Sequence, residues 1–77
     1  AVMDTRLAER LFVLITSNMD RTYEEECNMA MDVFLEEEFD MGELKRMLLY
    51  LLDKVKADRR EMVKEKIEQQ IGSLHEQ

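Results

Sequence analysis

Few residues of this chain could do covalent chemistry. It has one cysteine, one histidine, and 18 acids against 11 lysines and arginines in 77 residues. Nucleophilic catalysis would need Cys27 or Ser17 beside His75, with a third group orienting the base. His75 lies beyond Gly72, in a terminal stretch (residues 73–77) expected to fray, where nothing holds an imidazole in hydrogen-bond geometry with a helical nucleophile. Cys27 shares a helix face with Tyr23, Ala30 and Met31. Apolar packing raises a thiol's pKa and makes it inert, and Glu24, Glu25 and Glu26 oppose a thiolate further. No catalytic residue is assigned, and the chain reads as a non-enzyme.

The acids raise the question of a metal. Glu25, Asp32 and Glu36 fall on one ridge of a helix, where three carboxylates do not converge on a point. A di-iron bundle needs Glu-x-x-His pairs, which are absent, and "EEEFDMGELKRM" lacks calcium-loop spacing. Neither Gly42 nor Gly72 belongs to a glycine-rich phosphate-binding loop. No metal and no cofactor are expected.

What must position these residues is a set of helices. There is no proline, the two glycines stand alone, and strong helix formers dominate while β-branched residues are scattered. The fold class is all-α, as a single helical domain over residues 1–77, without internal repeats. A lone cysteine rules out an intrachain disulfide and favours a reducing, cytoplasmic setting. No signal-peptide pattern and no apolar run of about 20 residues is present, so a soluble protein is expected.

Asp4 is the expected N-cap of a first helix running to about Asn18, with Leu7, Ala8, Leu11, Phe12, Leu14, Ile15 and Met19 on its core stripe. Thr22 and Glu25 have capping-box spacing and should open a second helix, whose inner face holds Tyr23, Cys27, Ala30, Met31, Phe34 and Leu35. It should fray through "EEEFD", where successive acids oppose the helix dipole. Asp40 and Glu43 form another capping box and open a third helix, with Leu44, Met47, Leu48, Leu51, Leu52 and Val55 on one arc. Leu49 and Tyr50 fall outside that arc.

On an unbroken helix Val63, Ile67, Ile71 and Leu74 would lie about 120° from the first stripe. One continuation is a single long or mildly bent helix from Met41 to Ile71, on the order of 45 Å, whose far end another chain would cover. The other is a break at a third capping box, Asp58 and Glu61, with a fourth helix returning to close a small bundle. "KADRREM" contains no glycine or proline, and Leu49, Val63, Ile67 and Leu74 align if the helix continues, so the sequence favours the long helix. Gly72 is placed to end it.

Charge is uneven along the chain. Residues 1–40 carry net −8 and residues 41–77 net +1. This acidity opposes generic nucleic-acid binding. The cations Lys54, Lys56, Arg59, Arg60, Lys64 and Lys66 are interleaved with acids at i,i+4 spacing, the pattern of a salt-bridged solvated helix. The expected function is a small protein-interaction module, such as an adaptor, regulator or assembly subunit, self-associating as a homodimer through the third helix. Leu49, Tyr50, Met29, Val33, Val63 and Ile67 are its candidate contact residues, and Glu25, Asp32 and Glu36 its electrostatic flank. Two alternatives are an acidic inhibitor or nucleic-acid mimic that docks on a basic partner, and a DNA-associated regulator using residues 54–66.

Overall fold

The computed structural model describes residues 5–72, in which four helices carry the fold: α1 (Thr5–Ser17), α2 (Arg21–Glu36), α3 (Met41–Leu52) and α4 (Ala57–Ile71). The all-α class is as expected. Asp4, Leu74, His75 and the tail 73–77 lie outside the described residues.

α1 buries Ala8, Leu11, Phe12 and Ile15, the stripe its spacing implies. Its last turn is closed by three successive polar side chains. The Thr16 hydroxyl donates to Phe12 O at 2.9 Å, Ser17 Oγ to Val13 O at 2.8 Å, and Asn18 Nδ2 to Leu14 O at 2.8 Å. Of these acceptors Leu14 O is among the last four carbonyls of the helix, which lack an i+4 N–H, and the Asn18 amide supplies its partner.

α2 starts two residues earlier than the Thr22–Glu25 box implied. Asp20 is the N-cap, and its carboxylate accepts from the Thr22 backbone N–H at 3.0 Å. The shift follows from anchoring of the preceding loop: Lys56 N donates to Asn18 O, and Met19 pairs with Val55 in an isolated antiparallel bridge. With residues 18 and 19 held there, Asp20 is the side chain left at the helix entrance. The Thr22 N–H, then the Thr22 hydroxyl, hold the Asp20 carboxyl below the usual carboxylate range. α2 stops at Glu36, followed by extended Glu37, where the run of acids opposes the dipole.

The Asp40–Glu43 capping box is present as expected. Asp40 Oδ1 accepts from Glu43 N at 2.8 Å, and Glu43 Oε1 from Asp40 N at 3.3 Å.

The long third helix does not form. α3 ends at Leu52, a short turn follows in which Lys54 N donates to Leu51 O and Val55 N to Leu52 O, and α4 runs back from Ala57. The break comes before Asp58, and no side chain caps α4 at its N-cap, Lys56, so the Asp58–Glu61 box does not mark it either. Two interactions across the fold make the turn favourable. Val55 is buried opposite Met19. Arg60 lays its guanidinium over the turn, with Nε donating to Leu52 O at 3.2 Å and Nη2 to Asp53 O and Val55 O at 3.1 and 2.9 Å. Carbonyls released by ending a helix need such partners.

Turning α4 back also resolves the angular offset between the two apolar stripes. Leu44, Leu48 and Leu51 of α3 and Val63 and Ile67 of α4 all reach 0% exposure in one core with Ala8, Phe12, Ile15 and Cys27. α1 packs against the other three helices and α3 against α4. The Phe12, Phe34 and Phe39 rings pack in series, with centroids 5.6 and 4.5 Å apart in sequence order. Gly72 ends α4 at φ 87°, a conformation that disfavours any side chain.

Candidate docking face

The apolar contact candidates separate once the chain is folded. Val63 and Ile67 are core residues, covered by this chain's own helices, and Leu49 is half-buried against the same core. An unbroken helix would carry Val63 and Ile67 away from α1, and the turn at 53–56 brings them inward instead; Leu49, outside the main arc of α3, is half-covered all the same. Met29, Val33 and Tyr50 stay outside, at 62, 60 and 54% exposure.

Met29 and Val33 lie one turn apart on the outer side of α2, so their side chains are neighbours. Glu25, Asp32 and Glu36 are exposed beside them. Arg21, Glu24, Glu25, Asn28, Met29 and Asp32 surround a shallow depression of about 340 Å³. Tyr50 meets this strip at its edge. Its hydroxyl donates to Glu26 Oε1 at 3.3 Å, and Glu26, Met29 and Val33 fall within an arc of about 60° on α2. The Lys54 ammonium stands 4.9 Å from the Tyr23 ring centroid and 5.0 Å from that of Tyr50. Tyr23, expected on the inner face, is 38% exposed, with its ring against this ammonium. Below Tyr50, Phe34, Met47, Glu43 and Arg46 line an open groove of about 390 Å³ between α2 and α3.

Much of the basic segment is engaged inside the chain. Arg60 caps the α3–α4 turn, Arg59 Nη1 donates to Asn18 Oδ1 at 3.1 Å, and Lys54 covers two rings. Half of its six cations therefore already have partners. Asn18, expected only as the end of the first helix, and Arg60, grouped with the solvated cations, take roles the sequence reading does not assign them. Asn18, 8% exposed, joins α1, α4 and the α3–α4 turn. An asparagine at a helix end and an arginine just after the α3–α4 turn carry no local signal of these roles until the loops are placed together.

Cys27 is fully buried, with its sulfur 2.9 Å from the Thr16 hydroxyl, which bonds Phe12 O in turn. Burial pushes the thiol pKa up; the Thr16 contact opposes this and the Glu26 charge adds to it. The folded state thus favours the neutral thiol. Its contribution is complete below the unfolded thiol range, near pH 8.5, and is lost as pH rises through the higher folded value. Chemical unfolding at pH 7.5 to 10 should show stability falling over this window in the wild type and a smaller fall in Cys27→Ala. A maleimide should label Cys27 only at the rate at which the bundle opens; immediate labelling of the folded protein would contradict this burial.

Among the described residues, no three His, Cys, Asp or Glu side chains gather where they could hold a metal ion. No described helix is long and apolar enough to cross a membrane. Compared with protein-family models, with curated proteins and with solved structures, the chain finds no match.

Proposed function

We propose that this chain is a small non-enzymatic protein-interaction module whose docking face is the outer side of α2, with Tyr50 at its edge. The observation carrying the reading is the exposure of Met29 and Val33, one turn apart, beside carboxylates and more exposed than the other large apolar side chains at the surface, Val13, Tyr23, Met41, Tyr50 and Met62. Methionine adapts to irregular partner surfaces, while the carboxylates set the sign of the partner. From Asp20 to Glu43 there are ten acids and one base, Arg21. The favoured partner is a cationic amphipathic segment, held by apolar contact and oriented by charge. A nucleic-acid mimic that fills a basic groove would use the same acids without needing Met29 and Val33.

A synthetic cationic amphipathic helix titrated against the protein separates the two. Met29→Asp with Val33→Asp should weaken binding at least tenfold, and Glu25→Gln with Asp32→Asn and Glu36→Gln should also flatten its salt dependence. Affinity indifferent to Met29→Asp and Val33→Asp would remove the apolar docking reading and leave charge mimicry.

A further inference from the structure

We infer that the chain associates head to tail, the acidic–apolar face of α2 in one copy docking into the groove between α1 and α4 of the next. The inference rests on the docking face just proposed and names its occupant.

That groove, about 380 Å³, is lined by Leu7, Leu11 and Leu14 of α1 and by Arg10, Lys66, Gln69 and Gln70. Its floor is apolar and its lining contains two cations and no acid, in a chain of net charge −7. The α2 face has the complementary composition: Met29 and Val33 for an apolar floor, Glu25, Asp32 and Glu36 for a cationic rim. Two α2 faces would instead bring like charges together, which disfavours a two-fold dimer through α2.

The two surfaces also lie on opposite flanks of the molecule. Thr16 of α1 touches Cys27 of α2, whereas Leu7 and Leu14 of α1 line the groove with α4. On the α1 helix Thr16 is about 180° from Leu7 and about 160° from Leu14. A contact between unlike surfaces on opposite flanks does not satisfy itself within one pair and so propagates along a row of copies. Each contact involves little more than one helix in one groove, so the association is weak and concentration-dependent.

Sedimentation of the full chain from 10 µM to 1 mM tests it with two variants, each checked for helix content by circular dichroism. Arg10→Glu with Lys66→Glu spoils the groove; Met29→Asp with Val33→Asp spoils the α2 face. The wild type should grow in mass with concentration and shrink as salt is raised from 50 to 500 mM. Each variant alone should stay monomeric, and their equimolar mixture should form a 1:1 complex that grows no further, because one intact face and one intact groove remain. A wild type monomeric throughout, or a groove variant associating like the wild type, would overturn the inference. If in either case Met29→Asp with Val33→Asp still weakens the cationic helix, the docking face stands and only its occupant was wrong; if it does not, the face itself is refuted.

Discussion

Ile67→Asp leaves the chain unfolded at 25 °C, with the helical circular dichroism signal lost and no cooperative thermal transition. Ile67 is 0% exposed, in a core built of apolar side chains. Truncation of such a residue to alanine costs about 2–5 kcal/mol from lost transfer energy and the cavity left behind. A chain of this size has roughly 4–12 kcal/mol of total stability. An aspartate adds the desolvation of an unpaired carboxylate, which exceeds what is left. Ile67→Ala should therefore give a folded but weakened protein, and Ile67→Asp none. The comparison is also a direct check on the returning α4. Were Ile67 covered by a second chain at the end of a long helix, Ile67→Asp would yield a folded monomer, and that outcome would reject this arrangement.

Arg60→Ala should lower stability by about 2–3 kcal/mol, a fall in melting temperature of roughly 10–20 °C for a domain of this length. Its guanidinium makes three hydrogen bonds to the carbonyls of Leu52, Asp53 and Val55. Each is charge-assisted, but they do not add fully: the bond to Asp53 O is exposed, and water replaces it at little loss. The part-buried carbonyls of Leu52 and Val55 carry most of the effect. Arg60→Lys should recover less than half, because an ammonium lacks the planar fork that reaches three acceptors at once. Thermal melts of wild type, Arg60→Lys and Arg60→Ala should fall in that order. Equal melting of Arg60→Ala and the wild type would show that the turn is held by the Met19–Val55 pairing and the core alone.

These two residues mark where reading along the chain succeeds and where it stops. Helix existence and the apolar stripes follow from local spacing, because a 3.6-residue period puts Leu44, Leu48 and Leu51 on one side whatever surrounds them. The Asp40–Glu43 box is likewise complete within four residues. The α2 entrance was misplaced by two residues because Thr22–Glu25 and Asp20 are both acceptable caps locally, and the choice is made by Lys56 and Val55, more than thirty residues away, holding Asn18 and Met19. In the candidate site, the outward position of Met29 and Val33 was legible from the α2 wheel alone. That of Val63 and Ile67 was not, since the direction they face depends on a turn without glycine or proline.

By itself, then, the sequence determined an all-α chain, the inward stripes of α1 and α3, an apolar setting for Cys27 and an acidic outer side of α2, because each depends on neighbours within a turn or two. Only the tertiary structure decided that α3 and α4 are separate helices. That choice balances the cost of ending a helix at Leu52 against burying Val55, Val63 and Ile67 and satisfying the freed carbonyls with Arg60. Every gain on that balance comes from contacts between segments distant along the chain, so no local pattern announces it.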